Sequence, residues 1–242
     1  MRTVDAERGK HEAGAAEVAE GEVLLPASGN SSGERLGGDL AGLDNRDGLV
    51  VFVHGSGSSR HSPRNRAVAT GLNRAGFATL LMDLLTPTEH TSDERTGRLR
   101  FDVELLTNRV LGVLDWVSGR AELNTRGVGL FGASTGAAAA LGAAARRPRA
   151  VRAVVSRGGR PDLAPERPED VHTPTLLIVG GRDGEVLQLN ENVARRIPAE
   201  QEVHRVPGAT HLFEEEGALE QVGQAARAWF AHYLFEPSAT SS

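Results

Sequence analysis

From Gly48 onward, short uninterrupted apolar runs alternate with stretches whose apolar residues recur every three or four positions. The runs are LVVFV (49–53), ATLLM (78–82), GVGLF (127–131), RAVV (152–155) and TLLIV (175–179). A strand that is apolar on both sides belongs in a parallel sheet whose two faces are covered by helices, so the predicted class is α/β with a mostly parallel central sheet. Between the second and third runs, Leu106, Val110, Val113, Leu114 and Val117 form one helical face and leave Glu104, Asn108 and Arg109 on the other. A last helix over about 214–234 repeats the pattern with Leu219, Val222, Ala226, Trp229 and Tyr233, and Glu214, Glu215 and Glu216 suit the positive end of its dipole.

Upstream, Glu22–Leu25 and Arg35–Asp39 flank the polar loop SGNSSG and read as short strands forming an antiparallel edge. Residues 1–16 are polar and aperiodic, as are 236–242, so both ends are expected to be loose tails around a single domain over 17–235. No internal repeat or mid-chain linker divides that span.

Composition narrows the chemistry. The 242 residues carry 27 Lys and Arg against 32 Asp and Glu, a formal charge of −5, with the cations scattered, so nucleic acid is not an expected partner. Cysteine is absent, which excludes disulfides, thiolate metal sites and a thiol nucleophile. Neither a signal-like N-terminus nor a membrane-length apolar run is present, and the expectation is a cytoplasmic protein. No metal or cofactor is called for.

RGVGLFGASTGAAAALGAAA places Ser134 in a Gly-x-Ser-x-Gly pattern between an apolar strand and an Ala-rich helix. A serine on such a turn is held in a strained backbone conformation with its hydroxyl exposed above the sheet, and the helix start supplies N–H groups where negative charge would gather. With 29 glycines the bare pattern also arises by accident: Gly29-Asn30-Ser31-Ser32-Gly33 matches it but lies in a polar loop with no helix behind it. The bland alternative for Ser134 is a glycine turn with an incidental serine.

A serine nucleophile needs a base, and eight histidines compete. His11, His54, His61, His90, His172, His204 and His232 fall in tails, polar loops, a strand or a helix end. His211, in RVPGATHLF, lies in a glycine-containing loop after the last strand, where an order of Ser, acid, His puts the base. For the acid, TLLIVGGRDGEV projects Asp183 from the C-terminal edge of the sheet, with Asp162 as the alternative. The loop VHGSGSSRHSPRN brings backbone close to a ligand, so the oxyanion donors are expected to be the amides of Thr135 and Ser56.

With these stations in this order (His54-Gly55-Ser56-Gly57, Gly132-Ala133-Ser134-Thr135-Gly136, Gly181-Arg182-Asp183 and Gly208-Ala209-Thr210-His211) the chain resembles the α/β-hydrolase superfamily, and within it the dienelactone-hydrolase-like branch, over about residues 20–234. The resemblance implies the α/β-hydrolase fold and esterase-type chemistry. One departure is the nucleophile, serine here where the enzymes that name the branch carry cysteine, so no dienelactone substrate is assigned. The short stretch between RAVV and TLLIV leaves little or no room for a lid, and the site is expected to be open or covered by a neighbouring subunit of a homo-oligomer.

The expected function is therefore hydrolysis of a small ester, lactone, thioester or amide through an acyl-enzyme, with acyl transfer to another acceptor using the same apparatus. A catalytically silent binding protein on the same scaffold is the alternative. Arg157 and Arg160, in SRGGRPD, are candidates to hold a carboxylate or phosphate of the substrate, against the ordinary reading of solvated surface arginines.

Overall fold

A computed structural model describes residues 19–44, 47–123 and 127–235. The predicted tails, 1–16 and 236–242, lie outside the described residues.

Eight strands form one sheet: β1 (Gly21–Pro26), β2 (Arg35–Ala41), β3 (Leu49–Val53), β4 (Ala78–Met82), β5 (Val128–Ala133), β6 (Val151–Arg157), β7 (Thr175–Gly180) and β8 (Gln201–Val206). Their spatial order is β1-β2-β4-β3-β5-β6-β7-β8. β1 pairs antiparallel with β2, and β2 antiparallel with β4, so the first two strands form the expected antiparallel edge. All other pairings are parallel. The connecting helices are α1 (Pro63–Arg74), α2 (Pro87–Thr96), α3 (Val103–Ser118), α4 (Thr135–Arg146), α5 (Gly184–Ala194) and α6 (Ala218–Phe235). Among the described residues, no helix is long and apolar enough to cross a membrane.

The continuous apolar runs are explained by two cores, one on each face of the sheet. Val51, Val53, Leu80, Met82, Leu130 and Val154 pack with α3 and α4. The alternate residues Val50, Phe52, Leu81, Phe131, Val155 and Ile178 pack with α1 and α6. Every residue of β3, β4 and β7 is buried as a result. Between β6 and β7 the chain makes only two short 3-10 turns, Pro161–Leu163 and Pro168–Asp170, and no helical lid.

Two details of the helices depart from the pattern reading. The buried line of α6 is Ala218, Val222, Ala226, Phe230 and Leu234, with Leu219, Trp229 and Tyr233 only partly covered, and the three glutamates lie in the turn before the helix. A broad apolar face fixes its own width but not its centre, and Phe230 and Leu234 fill the space over Gly129.

Arg109 is the larger departure, being wholly buried instead of on the outer face of α3. Its guanidinium reaches past the end of the helix face, donating to the carbonyl of Ser28 at 2.8 Å and to Glu89 Oε1 at 2.5 Å. Glu89 in turn accepts from the amide of Thr86, which caps α2. One buried cation therefore ties the loop after β1, the start of α2 and the middle of α3 together. Removing one member of such a pair strands the other, so Arg109→Ala should lower unfolding stability by about 3 kcal/mol or more. Denaturant unfolding measures it, and a loss below about 1 kcal/mol would show that the pair does not hold these elements.

Candidate active site

Ser134 sits between β5 and α4 with φ 51° and ψ −121°, in the left-handed half of backbone space that a side-chain-bearing residue rarely adopts. Its surroundings over-determine that conformation. The Ser134 amide donates to Arg157 O at 3.2 Å, and its carbonyl accepts from the amides of Ala137 and Arg160, each at 3.1 Å. A Cβ at Gly132 would lie 2.5 Å from Ala137 Cα, and one at Gly136 would lie 2.3 Å from the carbonyl oxygens of Val53 and His54. Both flanking glycines are thus required by clearance, and the serine is half-exposed above the sheet.

The acid and base loops are stitched together at the ends of β7 and β8. Arg182 donates its amide to Ala209 O at 2.9 Å, and a Cβ on Gly180 would meet the carbonyls of Ala209 and Thr210 at 2.5 Å. Across this contact Asp183 Oδ2 lies 2.7 Å from His211 Nδ1. The carboxylate accepting the Nδ1 proton leaves Nε2 as the basic nitrogen. Glu215 holds the same loop by accepting from the Thr210 amide. Its carboxyl lies below the usual carboxylate range, held there first by the Thr210 side chain and then by backbone amides, that of Thr210 among them.

Ser134 and His211, the expected nucleophile and base, approach from opposite sides of one peptide. Ser134 N bonds to Arg157 O, while a Cβ on the next residue, Gly158, would stand 3.5 Å from His211 Cε1. The end of β6 therefore brings Ser134 and the His211–Asp183 pair to one rim. Asp162, the alternative acid, is committed elsewhere: it takes Arg160 Nε at 2.9 Å and Nη2 at 2.7 Å.

Thr135 opens α4, and its amide, at the first helical position, has no intrahelical acceptor. The Ser56 amide, the other expected donor, points at Thr135 Oγ1 at 2.9 Å. Its loop is fixed from behind by His54, which is 8% exposed. His54 Nδ1 lies 2.9 Å from Gly55 O, and Nε2 is 3.3 Å from the Leu84 amide. Only the neutral ring with a proton on Nδ1 satisfies both contacts. Burial pushes the His54 pKa down, with Gly55 O and Asp83 opposing it.

A cleft of about 600 Å³ opens in front of Ser134, walled by Ser56, Phe101, Thr135, Arg160 and Leu163. Phe101 and Leu163 are exposed apolar side chains in this wall. Neither was singled out in the sequence, and for Phe101 the retrievable signal was the capping box Thr86-x-x-Glu89 that starts α2 and leads to its turn. That turn, Leu99–Phe101, is clamped by buried Asp93, which accepts from the Leu99 amide at 2.7 Å and Arg100 Nε at 2.5 Å. Burial would raise the Asp93 pKa, but the Arg100 guanidinium and the two amides outweigh it and hold the group low. A second cavity of about 450 Å³ lies behind the 54–61 loop, shares Ser56 with the cleft and does not include Ser134.

Arg157 and Arg160 differ sharply. Arg160 lines the cleft, paired with Asp162. Arg157 is buried with its guanidinium Nη1 unpartnered among the described residues, and burial, aided by nearby Arg64, pushes it down to about 10. Among the described residues, no three His, Asp or Glu side chains gather in a way that could hold a metal ion.

A family model described as the alpha/beta hydrolase fold matches residues 48–201. The crystal structure of a dienelactone hydrolase from Anabaena variabilis is 50% identical, covers 88% of this chain and 99% of its own, and superposes with a TM-score of 0.82. Est1E from Butyrivibrio proteoclasticus, 16% identical, shares the fold with a TM-score of 0.73 over 90% of this chain and all of its own. A Mycobacterium tuberculosis protein named as a phosphoribosyl transferase is 54% identical over 202 residues, which are 84% of this chain but 45% of that protein. The chain thus spans less than half the length of this curated relative.

The buried neutral His54 gives a pH signature. Its folded pKa lies below the unfolded value of about 6.5, so the unfolded chain takes up a proton first, and the stability from this site is lost as pH falls below that value. Thermal unfolding between pH 8 and 5 should show a steeper acid loss for the wild type than for His54→Gln; parallel profiles would remove the assignment.

Proposed function

The chain belongs to the α/β-hydrolase family, in its dienelactone-hydrolase-like branch, and from that premise we propose that it is a serine hydrolase acting on a small neutral ester through an acyl-enzyme. The observation that carries the reading is the 2.7 Å contact between Asp183 and His211 at the rim where strained Ser134 is presented. In this reading, His211 Nε2 takes the proton of Ser134 Oγ as the oxygen attacks the acyl carbon. Asp183 fixes the tautomer and stabilises the imidazolium without taking the proton. The tetrahedral intermediate collapses as His211 returns the proton to the leaving alcohol. Water, deprotonated by the same nitrogen, then opens the acyl-enzyme.

The cleft walls support an uncharged substrate with an apolar group, since Phe101 and Leu163 offer apolar surface and Arg160 has its charge matched by Asp162. The phosphoribosyl transferase name attaches to a protein most of whose length lies outside the matched segment.

A fluorophosphonate probe should label the wild type and fail on Ser134→Ala, whereas a folded wild type that takes no label points to a non-catalytic scaffold. Asp183→Asn should lower kcat on an activated ester by roughly 10³- to 10⁴-fold through loss of the correct tautomer. For charge preference, Arg160→Ala is expected to change kcat/KM for anionic and neutral esters alike; a selective loss on the anionic ester would reinstate Arg160 as an anion-binding residue.

A further inference from the structure

The Ser56 amide is directed at a side chain of the nucleophile elbow instead of into open cleft, and this changes which group can meet the developing oxyanion. Resting on the serine-hydrolase reading, we infer that the hydroxyl of Thr135 is itself an oxyanion donor, and that Ser56 acts behind it as a positioning residue.

Ser56 N donates to Thr135 Oγ1 at 2.9 Å. An amide has one proton, and here it is spent on that hydroxyl. A hydroxyl that accepts a hydrogen bond still has its own proton to give. In four other helical threonines that proton is consumed locally: Thr70, Thr91, Thr96 and Thr107 each donate to the carbonyl four residues earlier. Thr135 is the first residue of its helix, and the carbonyl four residues earlier belongs to Phe131 in β5. Its hydroxyl makes no hydrogen bond to a described residue other than the one it accepts.

The hydroxyl lies at the right place to use that proton. Thr135 directly follows Ser134, is buried at 4% exposure, and lines the same cleft as Ser134 and Ser56. Its amide and hydroxyl form a two-donor unit on one residue at the positive end of α4. The bond accepted from Ser56 polarises the hydroxyl and makes it a better donor. The loop that brings Ser56 there is held by neutral His54, so the chain of support runs from the Leu84 amide through the imidazole to the loop and on to the hydroxyl. No bond is made or broken at Thr135; it only stabilises charge on the former carbonyl oxygen.

The two arrangements predict opposite outcomes for one variant. In Thr135→Val the hydroxyl is lost and the Ser56 amide is released. If the hydroxyl is the donor, kcat on an activated ester should fall about 10²-fold with KM little changed, and Thr135→Ser should recover at least a tenth of wild-type kcat. If the Ser56 amide is the true donor, Thr135→Val should match or exceed the wild type, and that result overturns the inference. Thr135→Ala, read the same way, serves if the valine methyl is not accommodated, with thermal unfolding confirming folded protein. A boronic acid that forms a tetrahedral adduct on Ser134 gives a second readout, its inhibition constant weakening in step with kcat/KM. Wild-type protein without Ser134-dependent turnover overturns the serine-hydrolase reading and this inference together, whereas an active wild type with an unimpaired Thr135→Val overturns this inference alone.

Discussion

The site depends on a clearance. Where β3, β5 and the start of α4 meet, the backbone of the elbow lies so close to the carbonyls of Val53 and His54 that residue 136 has no space for a side chain. This closeness has two effects. It holds Ser134 at a positive φ that costs free energy by itself, because the turn is pinned by bonds to Arg157 at the end of β6 and to Arg160 just beyond it. It also brings the 54–57 loop against the helix start, so that Ser56 and Thr135 touch. A larger residue at 136 would push the two strands' ends apart and separate Ser134 from the 54–57 loop.

Much of this was readable in the sequence because the same physics writes both. Strands buried on two faces must be apolar throughout, so β3 to β7 stood out as runs, and glycines forced by clearance stood out around Ser134. Asp183 and His211 follow from their places after β7 and β8. What escaped the pattern did so for definable reasons. α2 carries no apolar face at all, only a capping box and a proline at its start, and periodicity is blind to it. Arg109 reads as a surface residue because its type and phase say so, and only a partner 20 residues upstream, Glu89, makes its burial tolerable. The Ser56–Thr135 contact spans 79 residues and is set by side-chain placement, which no linear motif records.

The polar groups around the site divide between those that must be charged and those that must not. Asp93 and Glu215 are held ionised by donors aimed at them, while burial holds His54 neutral and a donor and an acceptor on opposite sides of its ring fix the tautomer. Each secures a loop that carries a site residue. The architecture thus uses fixed protonation states behind the cleft.

The wall of the cleft has a separate foundation. Phe101 stands on a turn clamped by Asp93 to α2, an element laid outside the sheet, while Ser134, Asp183 and His211 stand at or beyond strand ends. Exchanging the aromatic ring for another side chain would reshape the space offered to a guest molecule without disturbing the strained elbow or the imidazole. The wall of the cleft and the elbow beneath it are thus mounted on different supports, so the shape of the space and the geometry of the turn can vary independently.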